Sequence, residues 1–223
     1  MANKPTEKEL RQQNVAEAVS KTELFFQKNS KIIYGCVAAV LIFAVAYMAY
    51  NYFILQPKQE EAKEEMYMAE QRFFMNEFEL ALHGDDNNLG FKDIIENYGT
   101  KAGEAVYLYA GACALQIGEY NEAIEYFKKY DVKDKILLAR SQAGIGDAYV
   151  NLGDNKSALD WFLKAAATTD NMYAAGYLLE AGQVAEELGD TAKALECYKE
   201  IKDQYPMAPE ASDIDKYITR LEF

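Results

Sequence analysis

Hydrophobic and polar residues are arranged in two different ways along this chain. Residues 32–55 form one unbroken apolar run, IIYGCVAAVLIFAVAYMAYNYFIL, with no charge and one strongly polar side chain, Asn51. At 1.5 Å per residue, a helix of this length reaches about 36 Å, enough to cross a hydrocarbon layer of about 30 Å with some tilt. The pattern predicts a transmembrane helix. Phe25, Phe26 and Tyr34 near one end, and Tyr47, Tyr50, Tyr52 and Phe53 near the other, suit the two headgroup regions. A cleaved signal peptide is the rival reading, because Ala44-Val45-Ala46 has the small-x-small form; against it, the apolar run continues well past Ala46.

After the span the pattern becomes amphipathic and repetitive. Gly111, Gly118, Ala123, Phe127 and Tyr130 are spaced like Gly146, Gly153, Ala158, Phe162 and Ala165, and like Gly182, Gly189, Ala194, Tyr198 and Ile201. Such a recurring ruler signals a stack of supersecondary units. Tyr107, Ala110, Gly111 and Ala114 share one helical face, where small residues admit a partner helix. Gly118, Gly153 and Gly189 are expected to end the first helix of each pair in a left-handed conformation. Glu119, Asp154 and Asp190 then place negative charge at the start of the second helix, where the helix dipole favours it. Ala123, Ala158 and Ala194 are expected to face the glycine of the first helix, with the following aromatic filling the seam to the next repeat. Pro206 closes the last pair.

With offsets of 35 and 36 residues, and the stretches GEYNEAIEYF, GDNKSALDWF and GDTAKALECY, residues 104–208 resemble a tetratricopeptide-repeat (TPR) array. The fold class expected is all-α: one transmembrane helix followed by a TPR-type α-solenoid of about four helix pairs plus a capping helix. The predicted organisation is a short tail (1–31), the span (32–55), a linking helix with a degenerate first repeat (56–103), three repeats (104–208) and a cap (209–223). Within the linking region, residues 59–82 read as one long helix broken only near Pro57, and Phe91–Tyr98 as the second helix of the degenerate repeat after the loop HGDDNNLG.

Charge divides along the same boundaries. The overall −13 separates into +2 on residues 1–31, none on the span and −15 on residues 56–223. That acidity argues against nucleic acid as a partner. Lys21, Lys28 and Lys31 on one side of the span outnumber Lys58 and Lys63 on the other, which predicts a cytoplasmic N-terminus and puts the rest of the chain across the membrane. A cytosolic domain on the same anchor, as in organelle import receptors, is the alternative topology.

Little points to catalysis. One histidine and three cysteines without a C-x-x-C pair supply neither a zinc site nor a disulfide scaffold. His83 with Asp85, Asp86 and Asn87 reads as a solvated loop, not a metal site. Cys36 lies in the span, and Cys113 and Cys197 are expected as buried packing residues. Asn155-Lys156-Ser157 fits a glycosylation sequon, and a turn explains Asn155 equally well. No enzyme activity, metal, cofactor or small-molecule substrate is expected.

The surface most suited to binding is the concave face of the first helices. Its candidate residues are Leu108, Ala112, Leu115 and Gln116; Arg140, Ala143, Asp147, Val150 and Asn151; and Leu179, Gln183, Glu186 and Glu187. Leu108, Ala112, Ala143 and Asp147 stand where a clamp for acidic C-terminal tails would carry Lys, Arg or Asn, so such a clamp is not expected; a mixed groove with acidic patches suits an amphipathic or basic partner segment. The alternative is that these residues only solvate the inner face. Gly35 and Ala39 form a small-xxx-small pair that would seat a second membrane helix.

The order of parts, with Val15-Ala16-Glu17-Ala18-Val19 and Phe25-Phe26-Gln27-Lys28-Asn29-Ser30-Lys31 leading into the span, resembles the YfgM-type ancillary subunit of the SecYEG translocon. The likeness covers the tail and span, and the repeats by architecture. It implies an inner-membrane protein with a periplasmic TPR domain. Its partners would be translocon subunits, a periplasmic folding factor or emerging secreted chains. A scaffold for another envelope assembly, in secretion or outer-membrane biogenesis, is the second expectation.

Overall fold

The computed structural model describes residues 7–222, with side chains from Glu23 onward apart from Leu24. Lys4 and the other residues at the very N-terminus therefore lie outside the described residues, as do the side chains of Lys8, Arg11 and Lys21. Among the described residues every regular element is helical. Contacts divide the chain at Pro57 into two units.

The first unit is dominated by α1, Glu7–Tyr50. The polar tail is thus helical from Glu7 and runs without a cap into the apolar stretch. Ile32, Val40, Leu41, Ile42, Phe43 and Val45 are all exposed, as on a helix whose apolar surface has no protein to cover it. The helix is long and apolar enough to cross a membrane. Residues Asn51–Leu55 take π geometry, and the amide of Gln56 donates to the Asn51 carbonyl five residues back. Pro57 follows immediately, lacking an N–H and crowding the carbonyl one turn earlier, and the widened turn accommodates it.

Helix α2, Gln56–Phe74, begins at the division, and most of it belongs to the second unit. The expected single helix over 59–82 is interrupted: Met75–Glu77 leave the helix, Asn76 adopts φ 62°, and α3, Phe78–His83, begins anew. The Glu77 amide donates to the Arg72 carbonyl at 2.9 Å and the Asn76 amide to that of Phe73 at 3.0 Å. This is a Schellman stop with asparagine in the left-handed place. Asparagine takes this conformation less readily than glycine, so the residue type marks the stop only weakly in the sequence. Helix α4, Phe91–Tyr98, follows the 84–90 loop as expected.

The repeats are α5 (Ala105–Ile117) with α6 (Tyr120–Lys129), α7 (Lys135–Asn151) with α8 (Asn155–Thr168), and α9 (Tyr173–Glu187) with α10 (Thr191–Gln204). A 3-10 turn, Pro209–Ser212, leads to the capping helix α11, Ile214–Glu222. Each helix packs on the next, and α5, α7 and α9 also touch in series, forming one layer of the solenoid. Gly118, Gly153 and Gly189 have φ of 87°, 76° and 74° and close the same Schellman pattern, with the Glu119, Asp154 and Asp190 amides reaching back to Ala114, Tyr149 and Ala185.

One packing expectation needs correction. The alanines Ala123, Ala158 and Ala194 are fully buried, but the aromatic ring lies nearest each first-helix glycine. A Cβ on Gly111, Gly146 or Gly182 would meet Phe127, Phe162 or Tyr198 at 2.7, 2.7 and 2.3 Å. The missing side chains make room for flat rings, which bury more apolar area than alanine. Phe127 also meets Gly144 of the following repeat, so it serves its own pair and the seam together.

Candidate functional site

The predicted groove residues lie on α5, α7 and α9 and fall into three environments. Leu108, Ala112 and Leu115 are half-buried against the core and leave Gln116 exposed at the end of α5. On α7, Ala143 is buried, Val150 is packed on the core, and Arg140 and Asn151 are exposed. The Asn151 amide donates to the Asp147 carbonyl at 2.8 Å, which holds it along its own helix. On α9, Leu179 is half-buried and Gln183 exposed.

The two glutamates that end α9 are already engaged. Glu186 accepts from the Tyr198 hydroxyl at 2.6 Å and from Arg220 Nη2 at 2.6 and 2.7 Å, joining α9 to α10 and to the cap. Burial, with the Glu186 carboxylate alongside, raises the Tyr198 phenol well above its ordinary range. Glu187 accepts from Asn155 Nδ2 at 2.8 Å, so the sequon asparagine ties α8 to α9.

Two acids on these helices, Asp147 and Glu180, are partly buried. Burial raises Asp147 to about 6, and burial together with Asp147 and Glu210 raises Glu180 to about 7. Tyr177 is raised by the same burial and by Glu180, with Arg140 opposing. Glu210 comes from the 3-10 turn and reaches α9 at Gly176, where a Cβ would lie 3.5 Å from its Oε1. Helical period selects Leu179 and Gln183 and leaves out Glu180, one residue from Leu179. Glu210 follows the last repeat, where the ruler no longer applies. The one available signal was Gly176 four residues before Glu180, a gap and an acid on the same helical face.

Other candidates take structural roles. Asp85 accepts from the Asn87 and Asn88 amides at 2.9 Å and pairs with Arg72. These donors, the Asn87 amide first, lower its carboxyl to about 2. His83 Nε2 lies 3.3 Å from Glu119 Oε1. Cys113 and Cys197 are buried free thiols, pushed up to about 12 and 11 chiefly by burial. Gly35 and Ala39 are both exposed on α1, and Gly35 has open space beside it.

Helix pairs with glycine stops and ring-on-glycine seams match what comparison with known proteins finds. A tetratricopeptide-repeat pattern matches residues 172–206, and a second matches residues 139–168. The chain carries tetratricopeptide repeats. Two crystal structures of MamA are similar in fold. One has a TM-score of 0.55 at 21% identity, covering 73% of this chain and 88% of that one. The other has a TM-score of 0.51 at 21% identity, covering 69% and 94%. A search of curated proteins found no match. Tetratricopeptide repeats mediate binding of protein partners.

Proposed function

We propose that this protein is a membrane-anchored adaptor whose TPR solenoid lies outside the cytoplasm and binds protein partners at the Sec translocon, assisting the folding of secreted chains. The observation that carries the reading is an uncovered apolar helix in the same chain as a partner-binding repeat array. The excess of Lys21, Lys28 and Lys31 over Lys58 and Lys63 supports a cytoplasmic N-terminus. Likeness of the tail and span to the YfgM-type ancillary subunit supports the translocon as the place of work. Gly35 and Ala39 offer the membrane helix a close-packing face toward a channel subunit. The acidic centre around Asp147 and Glu180 suits a basic or amphipathic segment. In this reading the protein binds and positions, and has no catalytic role.

Extraction in a gentle detergent followed by affinity purification of the full chain tests the reading. Recovery of translocon subunits is expected. Recovery of only unrelated envelope proteins would overturn the translocon assignment and favour a scaffold for another assembly.

A further inference from the structure

The single tryptophan of the chain, Trp161 on α8, lies among two lysines and a tyrosine drawn from three helices. Lys164 Nζ, one turn further along α8, is 4.2 Å from the centre of its ring. Lys128 Nζ, from α6, is 5.9 Å from the same centre and 6.0 Å from that of Tyr149 on α7. Trp161 and Tyr149 are half-buried and rest on the core beneath the repeats, while both lysines are exposed. A ring attracts a cation through its electron-rich face, an indole best of all, but leaves the charge unneutralised. Two like charges held around one ring repel each other, and both gain from an anion placed beside them.

Other lysines of this unit are taken up directly by carboxylates: Lys92 by Glu122, Lys193 by Glu196, Lys199 by Glu222 and Lys202 by Asp215. Among the described residues Lys128 and Lys164 have no such partner, although Glu125 and Asp160 stand close to them in sequence.

We propose that Lys128, Trp161 and Lys164 form a docking site for an extended acidic segment of a protein partner. Carboxylates two residues apart on such a segment point to the same side at a spacing of about 7 Å, which suits two ammonium groups that both lie within 5.9 Å of one ring centre. The methylene stems of the acids then cover the exposed part of the indole, a side chain well suited to anchoring an interface. A short acidic segment fits better than a long polyanion. Residues 56–223 carry −15, which repels an extended run of negative charge, whereas at physiological salt that wider field fades within about 8 Å and leaves the local cations to act. The site uses none of the groove residues predicted on α5, α7 and α9, and it takes a segment of the opposite charge. One solenoid thereby holds two kinds of partner segment, whether or not the translocon assignment stands.

Titration of the full chain in a non-ionic detergent tests the site. Excitation at the red edge of tryptophan absorption makes Trp161 the reporter, since the chain has no other tryptophan. The probe is a capped Glu-Ser-Glu-Ser-Glu peptide, with Gln-Ser-Gln-Ser-Gln and Lys-Ser-Lys-Ser-Lys as controls. A saturable change in emission with the glutamate peptide alone is expected. Binding should be about fivefold weaker in Lys128→Gln and in Lys164→Gln. It should be unchanged in Lys129→Gln, which alters the exposed lysine next to Lys128 on α6. Circular dichroism shows which variants fold, and the wild-type titration decides even where one does not. No response to the glutamate peptide, an equal response to a control peptide, full affinity in both folded ring-lysine variants or equal weakening in Lys129→Gln would overturn the proposal. So would a response confined to phosphatidylglycerol added to the detergent, which would make the site a lipid contact.

Discussion

The ring of Phe127 on α6 fills the space beside Gly144 on α7: a Cβ on that glycine would lie 2.6 Å from ring Cε2. On its other side the same ring meets Gly111, whose Cβ would lie 2.7 Å away, so the ring has no free direction in which to retreat. Gly144→Ala gains about 1 kcal/mol of helix propensity but overpacks the seam at a cost of about 1–3 kcal/mol. Net destabilisation of about 1 kcal/mol is expected in denaturant unfolding. Phe127→Leu should shrink the effect of the alanine in a double-mutant cycle, and additivity would show that ring and glycine are uncoupled.

The starts of the second helices differ in a way the sequence does not announce. Asp154 and Asp190 accept from the Ser157 and Lys193 amides at 3.1 and 3.0 Å, while Glu119 makes no side-chain cap. Asp154→Ala and Asp190→Ala should each cost about 1 kcal/mol. Glu119→Ala should cost less, and what it does cost should depend on His83, which faces Glu119 Oε1. Thermal melts of the three variants rank the effects, and equal losses would contradict the distinction.

Much of the architecture was legible because it depends on residue types with few substitutes. Three glycines at φ near 80° and three rings on three glycines leave a fixed spacing, and a charge-free apolar run leaves a length. Other features were hidden for physical reasons. Asn76 stops α2 in a conformation that glycine would adopt more readily, so the residue type does not announce the stop. Ring and alanine could not be told apart at the glycine seam, because both are one turn or less from the contact and both are buried. Glu210 approaches α9 from an irregular segment, and helical periodicity says nothing about such approaches. Glu186 looked free on the inner face until the cap brought Arg220 to it from 34 residues away.

Asp147 gives the inner face a measurable pH signature. Its carboxyl is raised by burial from 3.8 to about 6, so the folded state holds the proton more tightly than the unfolded chain. Its contribution is therefore fully favourable below about pH 4 and is lost as pH rises through about 6. Asp147→Asn should stabilise the protein at about pH 8 by on the order of 2 kcal/mol, with the difference from wild type vanishing near pH 4. Urea titrations of both proteins across that range check the sign, and a variant less stable at high pH would contradict it.

Orientation makes a separate prediction. With Lys21, Lys28 and Lys31 held inside, a reporter active only outside the cytoplasm and fused after Phe223 should be active. Reversing the bias, with Lys28 and Lys31 changed to glutamine and lysines added beside Lys58 and Lys63, should lower that activity. An inactive fusion in the wild-type background, with full-length protein present, would place the repeats in the cytoplasm.

In the proposed function, the face of the repeats carrying Arg140 contacts protein partners on the far side of the membrane. Photo-crosslinking in living cells from a probe at Arg140, exposed on α7, measures this most directly. Crosslinks to secreted chains, a folding factor outside the cytoplasm or translocon subunits are expected, and none of these from a probe at exposed Asp203 on α10. Crosslinks from Arg140 to cytosolic proteins alone, or a pattern identical from both positions, would contradict it.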